Sequence, residues 1–300
     1  MKAAVATAEL REAIGTVEGV EVVVWDGVTS PPAGVGFLVP DYRSTLQVMK
    51  RLDELPDLEV VQTQLAGYDG QLELLPPGVI LCNARGVHDD ATAEHAVGLA
   101  LAVLRRIPEA VRGHGSWQRL QTGMRSLADS RVLVLGYGSI GRALAERLVP
   151  MKAQVTAVAA HGRSDDLIGA VRPTSELPHL LPEQDVVIVL VPLDEQTRGL
   201  VGEDFLGRLP DGALVVNVAR GGVLDTEAVI RHAPRLRFAL DVTEPEPLPD
   251  GHPLWNAPNV LVTPHVAGGT SAMLPRVAGL VRGQLQRWVD GESLTNRVAP

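Results

Sequence analysis

Residues 131–145, Arg-Val-Leu-Val-Leu-Gly-Tyr-Gly-Ser-Ile-Gly-Arg-Ala-Leu-Ala, restrict the fold more than any other stretch of the chain. An apolar, partly β-branched run stops at Gly136, and a helix rich in alanine and leucine begins almost at once. Gly136, Gly138 and Gly141 have the spacing G-x-G-x-x-G. Each glycine does something different. The first allows a tight turn, the second lets a pyrophosphate approach the backbone, and the third lets the helix pack closely. The helix N-terminus adds unpaired N–H groups and a positive dipole end. The combination predicts a dinucleotide site at the end of a parallel strand.

The 300 residues allow one large domain or two medium ones. A formal net charge of -9 argues against a nucleic-acid or membrane-surface partner, so an anionic substrate must be held by a few local basic groups. The lone cysteine, Cys82, excludes an intramolecular disulfide and a multi-cysteine zinc site, and no metal is expected. No apolar run approaches the ~18 residues of a membrane span. With an N-terminus that reads as a strand rather than a cationic leader, the expected compartment is the cytoplasm.

Upstream of the glycine motif, residues 2–90 alternate apolar strands with helical or loop connections. The strands are expected at Ala3–Ala6, Val20–Trp25, Gly36–Val39, Leu58–Gln62 and Val79–Cys82, with an amphipathic helix at Thr45–Leu55. Two connections, Gln64–Asp69 and Asn83–Asp90, follow strands where open α/β sheets place ligands. Asp89 or Asp90 is expected to N-cap an apolar helix running from Ala91, with Glu94 and His95 as a hydrogen-bonded pair in its first turns. A looser segment, Gly113–Trp117, precedes the motif. Downstream, Gln154–Ala159, Asp185–Val191, Ala213–Val218, Leu236–Leu240 and Val260–Thr263 complete six strands counted from Arg131, and Ser271–Asp290 returns to helix. Strands alternating with helices predict an α/β chain of two doubly wound parallel sheets.

Three polar residues stand just after strands in the second half: Arg220, Glu246 and His265. The C-terminal ends of parallel strands share one edge, so the three can converge beside a bound cofactor. A guanidinium grips a carboxylate and polarises a carbonyl with forked donors. A histidine gives or takes the hydroxyl proton while hydride moves, and a carboxylate beside it fixes its tautomer and favours the imidazolium.

The motifs Val134–Arg142, Asn217-Val-Ala-Arg220-Gly, Leu240-Asp-Val with Glu246-Pro-Leu, His252-Pro-Leu-Trp255 and Thr263-Pro-His265-Val-Ala-Gly-Gly-Thr resemble those of the D-isomer-specific 2-hydroxyacid dehydrogenase family, in the right order and over most of the chain. The resemblance implies a Rossmann-type dinucleotide-binding domain at 92–271 and a smaller, discontinuous flavodoxin-like substrate domain at 1–91 and 272–300. It implies Arg220 as the substrate-binding arginine, His265 as the acid/base and Glu246 as its partner. The backbone of Ala66 and Gly67 would meet the substrate carboxylate, and Asp241 the nicotinamide carboxamide. Gly136, Gly138, Ser139, Ile140, Gly141, Val191, Pro192, Thr197, Val218, Ala219, His265 and Ala267 would line the cofactor.

One departure bears on the cofactor. Where NAD-preferring relatives carry an acid about twenty residues past the glycine turn, this chain reads Ala157-Val-Ala-Ala-His161-Gly-Arg163-Ser164, with no acid until Asp165. His161, Arg163 and Ser164 suit a 2'-phosphate, so NADP is expected over NAD. The expected activity is interconversion of a small 2-oxo acid and its D-2-hydroxy acid, in the reductive direction, by a homodimer. Phosphoglycerate- or phosphite-type oxidation and a non-catalytic, cofactor-sensing corepressor-like role are the competing readings; formate oxidation is disfavoured because the similar formate enzymes have Gln where this chain has Glu246.

Overall fold

The computed structural model describes residues 1–113 and 123–298; the Gly113–Trp117 segment therefore lies, from His114 onward, outside the described residues. The chain divides into two compact units, Met1–His88 with Thr270–Pro300, and Asp89–Gly269.

The first unit is built on five parallel strands: β1 (Lys2–Val5), β2 (Glu21–Val24), β3 (Phe37–Val39), β4 (Val60–Gln62) and β5 (Ile80–Cys82), in the order β2-β1-β3-β4-β5. Both faces of its central strands are apolar, as a parallel sheet covered on both sides requires. Alternation then sorts the residues. Ala3, Val5, Phe37, Val39 and Val60 pack against Leu10 and Ile14 of α1 (Ala8–Ile14) and against Val277, Val281, Leu285 and Trp288 of the C-terminal helix (Met273–Val289). Ala4, Leu38, Val61 and Leu81 meet Val48, Met49, Leu52 and Leu55 on the opposite face. Thr7 caps α1 by accepting from the Leu10 N–H at 3.1 Å. The expected helix over Thr45–Leu55 is only a short α2 (Thr45–Met49) followed by a 3-10 turn at Leu52–Glu54. Pro56, one residue past Leu55, disfavours continuation. The C-terminal helix is tied to this sheet by Gln284, which donates to the Gln62 side chain and to the Thr295 carbonyl, both at 2.8 Å.

In the second unit the leading helices are α3 (Asp89–Leu104) and α4 (Ile107–Arg112). Its strands are β6 (Arg131–Leu135), β7 (Gln154–Ala159), β8 (Arg163–Asp165), β9 (Gly169–Pro173), β10 (Val186–Val189), β11 (Leu214–Asn217), β12 (Arg237–Leu240) and β13 (Val260–Val262). They form one sheet in the order β13-β12-β11-β10-β6-β7-β9-β8, parallel except for the β8–β9 pair. From β6 the chain steps outward through β7 to β9, then returns to β10 on the other flank of β6. The strand order reverses there, and such a reversal opens a crevice at the strand C-termini. Val132, Val134, Val186, Ile188, Leu214 and Val216 face α3 and α5 (Ser139–Leu148), while Leu133, Leu135, Val187, Val189 and Val215 face the opposite layer.

Three sequence expectations are corrected here. The sheet has eight strands rather than six, because the polar run Arg163–Asp165 pairs antiparallel with Gly169–Pro173. Asp89 and Asp90 occupy the first turn of α3 instead of its cap, where their charge still complements the dipole. Glu94 and His95 do not pair with each other: Glu94 meets Arg147 at 3.2 Å, and His95 turns to Asp241. Adjacent residues on a helix point about a hundred degrees apart, so each finds its own neighbour.

Candidate active site

The glycine turn is shaped by close backbone approach. Gly136 has φ 105°, and a Cβ there would lie 2.6 Å from the Leu190 carbonyl carbon and the Val191 nitrogen, at the end of the neighbouring strand β10. A Cβ on Gly141 would lie 2.4 Å from the Gly136 carbonyl oxygen, so the helix can sit against the turn only without a side chain. Gly138 differs from both. A Cβ there would meet nothing within 4 Å, and the residue is exposed at the start of α5. Crowded glycines on each side of an open one make a cradle for a phosphate group that approaches Gly138 and the first-turn N–H groups of Ser139 and Ile140.

The loop after β7 carries His161, Arg163 and Ser164, all exposed. Arg163 opens β8, where its guanidinium donates to the Tyr137 carbonyl and lies 5.8 Å from the centre of the Tyr137 ring. Asp165, the nearest acid, is already engaged. Its carboxylate accepts from the Tyr137 hydroxyl at 3.1 Å, from Arg142 at 3.1 Å, and from the N–H groups of Leu167 and Ile168 at 3.0 and 3.2 Å. Burial raises its pKa, but those backbone bonds, the Tyr137 hydroxyl and Arg142 bring it below the usual carboxylate value. Tyr137 is pushed up to about 12, first by burial and then by its bond to Asp165.

On the other flank, Arg220 follows β11. Asn217 shapes the turn by accepting from the Ala219 N–H at 3.0 Å and donating to the Arg220 carbonyl at 2.9 Å, while Arg220 donates to the Ala219 carbonyl at 2.7 Å. The next residue permits no side chain, since a Cβ on Gly221 would come within 1.9 Å of the Thr243 carbonyl oxygen. The Arg220 turn therefore rests directly on the loop that leads to Glu246. Thr243 and Thr226 steady that loop by donating to the Pro245 and Glu244 carbonyls, at 2.8 and 2.9 Å.

His265 Nδ1 lies 2.5 Å from Glu246 Oε1, with both side chains about two-fifths exposed. The histidine sits in a left-handed conformation, φ 51°, where a non-glycine residue carries a cost that its surroundings must offset. Asp241 supplies the restraint. Its carbonyl accepts from the His265 N–H at 2.7 Å, and its carboxylate accepts from Thr263 Oγ1 at 2.6 Å, the Val266 N–H at 3.0 Å and the Ala267 N–H at 2.9 Å. His95 Nε2 approaches the same carboxylate at 3.2 Å and the Thr263 hydroxyl at 3.1 Å. The Asp241 side chain is wholly buried. Burial alone would raise its pKa, yet bonds from His95, Thr263, Val266 and Ala267 outweigh that and bring it to about 2. Sequence reasoning missed this use of Asp241 and assigned His95 to Glu94 rather than to Asp241. The apolar helix around His95 was the available signal, because a titratable group on such a helix needs a partner.

The remaining expected residues fall as follows. Val191, Val218, Ala219 and Ala267 are buried walls beside the glycine turn or the strand ends, and Pro192 is exposed. Thr197 donates to the Pro192 carbonyl at 2.6 Å and is used within its own loop. In the first unit, Ala66 and Gly67 accept at their carbonyls from Asn83 at 2.7 Å and Gln71 at 3.3 Å, and neither N–H makes a hydrogen bond among the described residues.

A glycine cradle at the strand-order reversal, with a histidine–carboxylate pair on the same sheet edge, defines a dinucleotide-dependent oxidoreductase. Residues 97–267 match the model of the D-isomer specific 2-hydroxyacid dehydrogenase NAD binding domain. A glyoxylate reductase of Thermofilum pendens is 35% identical over 256 residues, covering 80% of this chain and 75% of that protein. Among solved structures, a D-isomer specific 2-hydroxyacid dehydrogenase from Xanthobacter autotrophicus, in complex with NADPH and MES, is similar with TM-score 0.84 and 27% identity over 100% of this chain and 98% of its own. An NADPH-dependent glyoxylate/hydroxypyruvate reductase from Sinorhizobium meliloti, in complex with NADP and sulfate, gives TM-score 0.83 and 26% identity over 99% and 98%. The chain belongs to the D-isomer-specific 2-hydroxyacid dehydrogenase family. It is an NAD(P)-dependent enzyme that interconverts 2-oxo and 2-hydroxy acids. No described helix is long and apolar enough to cross a membrane.

Proposed function

We propose that this enzyme reduces a small 2-oxo acid, of the glyoxylate or hydroxypyruvate class, to its D-2-hydroxy acid with NADPH. The 2.5 Å contact between His265 Nδ1 and Glu246 Oε1 carries the reading. With Nδ1–H donated to the carboxylate, Nε2 is the nitrogen left to deliver a proton to the substrate oxygen. Glu246 neutralises the ring while both nitrogens hold protons, and keeps the Nδ1–H tautomer after delivery. Arg220 grips the substrate carboxylate and polarises the adjacent carbonyl. In the first unit, the N–H groups of Ala66 and Gly67, unbonded among the described residues, are suited to a carboxylate. NADPH, when bound, supplies the hydride. Gly136, Gly138, Gly141 and the first turn of α5 would hold its pyrophosphate.

Preference for the phosphorylated cofactor rests on the loop after β7. Arg163, His161 and Ser164 offer a cation and polar groups, and the nearest carboxylate, Asp165, is turned onto Tyr137 and Arg142. Steady-state turnover of a panel of 2-oxo acids with NADPH and NADH tests the proposal. The expected result is a higher kcat/KM with NADPH, and an Arg163→Ala variant whose KM rises for NADPH far more than for NADH. Equal or better turnover with NADH refutes the cofactor assignment, and no turnover with any 2-oxo acid refutes the activity. The family resemblance also implies a cytoplasmic homodimer, which sedimentation velocity and cell fractionation test.

A further inference from the structure

In the first unit, the loop after β4 is held by its carbonyls. The Gln64 carbonyl lies 2.7 Å from His88 Nε2, and the Leu65 carbonyl accepts from the Ala84 N–H at 2.8 Å. Ala66 accepts from Asn83 Nδ2 at 2.7 Å, and Gly67 from Gln71 Nε2 at 3.3 Å. A carbonyl only accepts, so His88 must carry its proton on Nε2. Four consecutive peptide units are thereby fixed, and three of the four donors belong to the segment that follows β5. In a planar trans peptide, the carbonyl of one residue and the N–H of the next point in opposite directions. The Leu65 and Ala66 carbonyls both turn toward Asn83 and Ala84, so the N–H groups of Ala66 and Gly67 both turn away from that segment. Two successive donors aimed alike form a concave site for an anion.

Asn83 is the hub of this arrangement. It is buried, and each of its polar atoms is bonded. Its N–H donates to the Asn296 carbonyl at 3.0 Å, its carbonyl accepts from Gln62 Nε2 at 3.0 Å, and its Oδ1 accepts from the Arg85 N–H at 3.2 Å. Exchanging Oδ1 and Nδ2 would set an oxygen against the Ala66 carbonyl and an NH₂ against the Arg85 N–H, so the amide has one orientation. The strand behind it is braced in turn. Residues 296–298 pair antiparallel with β5, through the Asn83 N–H and through the Val298 N–H, which donates to the Leu81 carbonyl at 2.9 Å. Asn296, left-handed at φ 55°, donates from its side chain to the Arg85 carbonyl at 2.9 Å. The stub after β5 is therefore tied on one side to the C-terminal tail and on the other to the loop after β4. Gln64, whose carbonyl meets His88, also donates to the Pro40 carbonyl at 2.8 Å, and both side chains are buried.

We propose that Asn83 and His88 are positioning residues for substrate binding: from the far side of the loop they aim the Ala66 and Gly67 N–H groups at a carboxylate. The inference rests on the reading that these two N–H groups receive the carboxylate of a 2-oxo acid, and adds which side chains make them a site. Neither residue needs to touch substrate. An unheld peptide rotates, and a donor pair that must be ordered on each binding event binds more weakly than one already in place.

Asn83→Asp is the direct test, because it keeps size and shape while turning the donor on Ala66 into an acceptor. Glyoxylate turnover is measured at saturating NADPH, and oxamate, an unreactive 2-oxo acid analogue, is titrated calorimetrically into the same NADPH-loaded protein. KM for glyoxylate and Kd for oxamate should both rise by at least about tenfold, the scale of one lost buried hydrogen bond. The fall in kcat should be smaller than the rise in KM, since a carboxylate is held alike before and during reduction. Kd for NADPH should stay at the wild-type value, because the glycine turn belongs to the second unit. His88→Leu should show the same signature, and His88→Gln, which keeps a donor of similar reach, should recover most of the loss; this pair carries the test if Asn83→Asp does not fold. The proposal is overturned if folded Asn83→Asp binds oxamate as wild type does, if kcat falls with KM unchanged, if NADPH affinity falls in parallel, or if His88→Gln is as impaired as His88→Leu. A wild type that binds oxamate but reduces no 2-oxo acid would refute the proposed activity and leave this inference standing. An unchanged glyoxylate KM in Asn83→Asp would refute this inference alone.

Discussion

Replacing Asp241 with Asn separates the charge of that residue from its shape. Its carboxylate receives three donors at Oδ1, from Thr263, Val266 and His95, and one at Oδ2, from the Ala267 N–H. An Asn oxygen can keep the first set, but its NH₂ must then face the Ala267 N–H. One buried donor loses its acceptor, at about 1–3 kcal/mol, and three charge-assisted bonds become neutral ones. The titration of the native carboxylate gives an independent figure. A displacement from 3.8 to about 2 is worth about 2 kcal/mol at neutral pH. The side chain is fully buried, so solvent screening does not reduce it. The sign follows from a depressed carboxylate: this stability is fully present above the unfolded value of 3.8 and is lost as pH falls toward 2. Asp241→Asn should therefore lower Tm at pH 7 by about 5–10 °C. The gap from wild type should close as pH drops from 4 toward 2, because only wild type titrates there. Scanning calorimetry across that range reads both effects. A variant as stable as wild type at pH 7, or a gap that does not narrow in acid, would show that the carboxylate does not hold the His265 loop. Turnover should fall with stability, since the same bonds fix the loop that presents His265.

The remaining expectations concern the glycines and the acid/base. Gly138→Ala should leave Tm unchanged, as its Cβ meets open space, yet raise the dissociation constant for the cofactor; calorimetric titration checks both. Gly141→Ala places a Cβ 2.4 Å from the Gly136 oxygen, and a loss of stability of at least about 1–3 kcal/mol is expected in denaturant titration. Gly221→Ala meets the Thr243 carbonyl at 1.9 Å, so the Arg220 turn must move; kcat/KM should drop even where folded protein is recovered. His265→Ala should reduce kcat by roughly 10²–10⁴, the cost of a lost general acid, with NADPH binding retained.

Much of the architecture was legible because it is written in periodicity and punctuation. The run from Arg131 to Leu135 followed by Gly136 could only be a buried strand entering a tight turn, and Asn217-Val-Ala-Arg220-Gly carried its own turn chemistry. What escaped notice depended on partners far away in sequence. Arg163–Asp165 has no apolar alternation and becomes a strand only because Gly169–Pro173 lies beside it. His95 turns away from its neighbour Glu94 because Asp241, well over a hundred positions downstream, sits under α3. Thr45–Leu55 had helical spacing throughout, yet the chain tightened into a 3-10 turn after Met49.

The β8–β9 hairpin has a consequence beyond the cofactor loop. An open sheet exposes unpaired N–H and C=O groups at each border, and a long flat border invites strand addition from another molecule. Here the outermost strand on the β7 side is three residues long, antiparallel, and made of Arg163, Ser164 and Asp165. Short length, charge and reversed direction are all features that discourage such templating. Excising the hairpin to redesign cofactor choice would uncover the six-residue β7, Gln154–Ala159, whose Val155, Ala157 and Val158 offer an apolar border. Such a truncated enzyme would be prone to fibrillar or amorphous association, so redesign is safer by point changes that keep the hairpin closed.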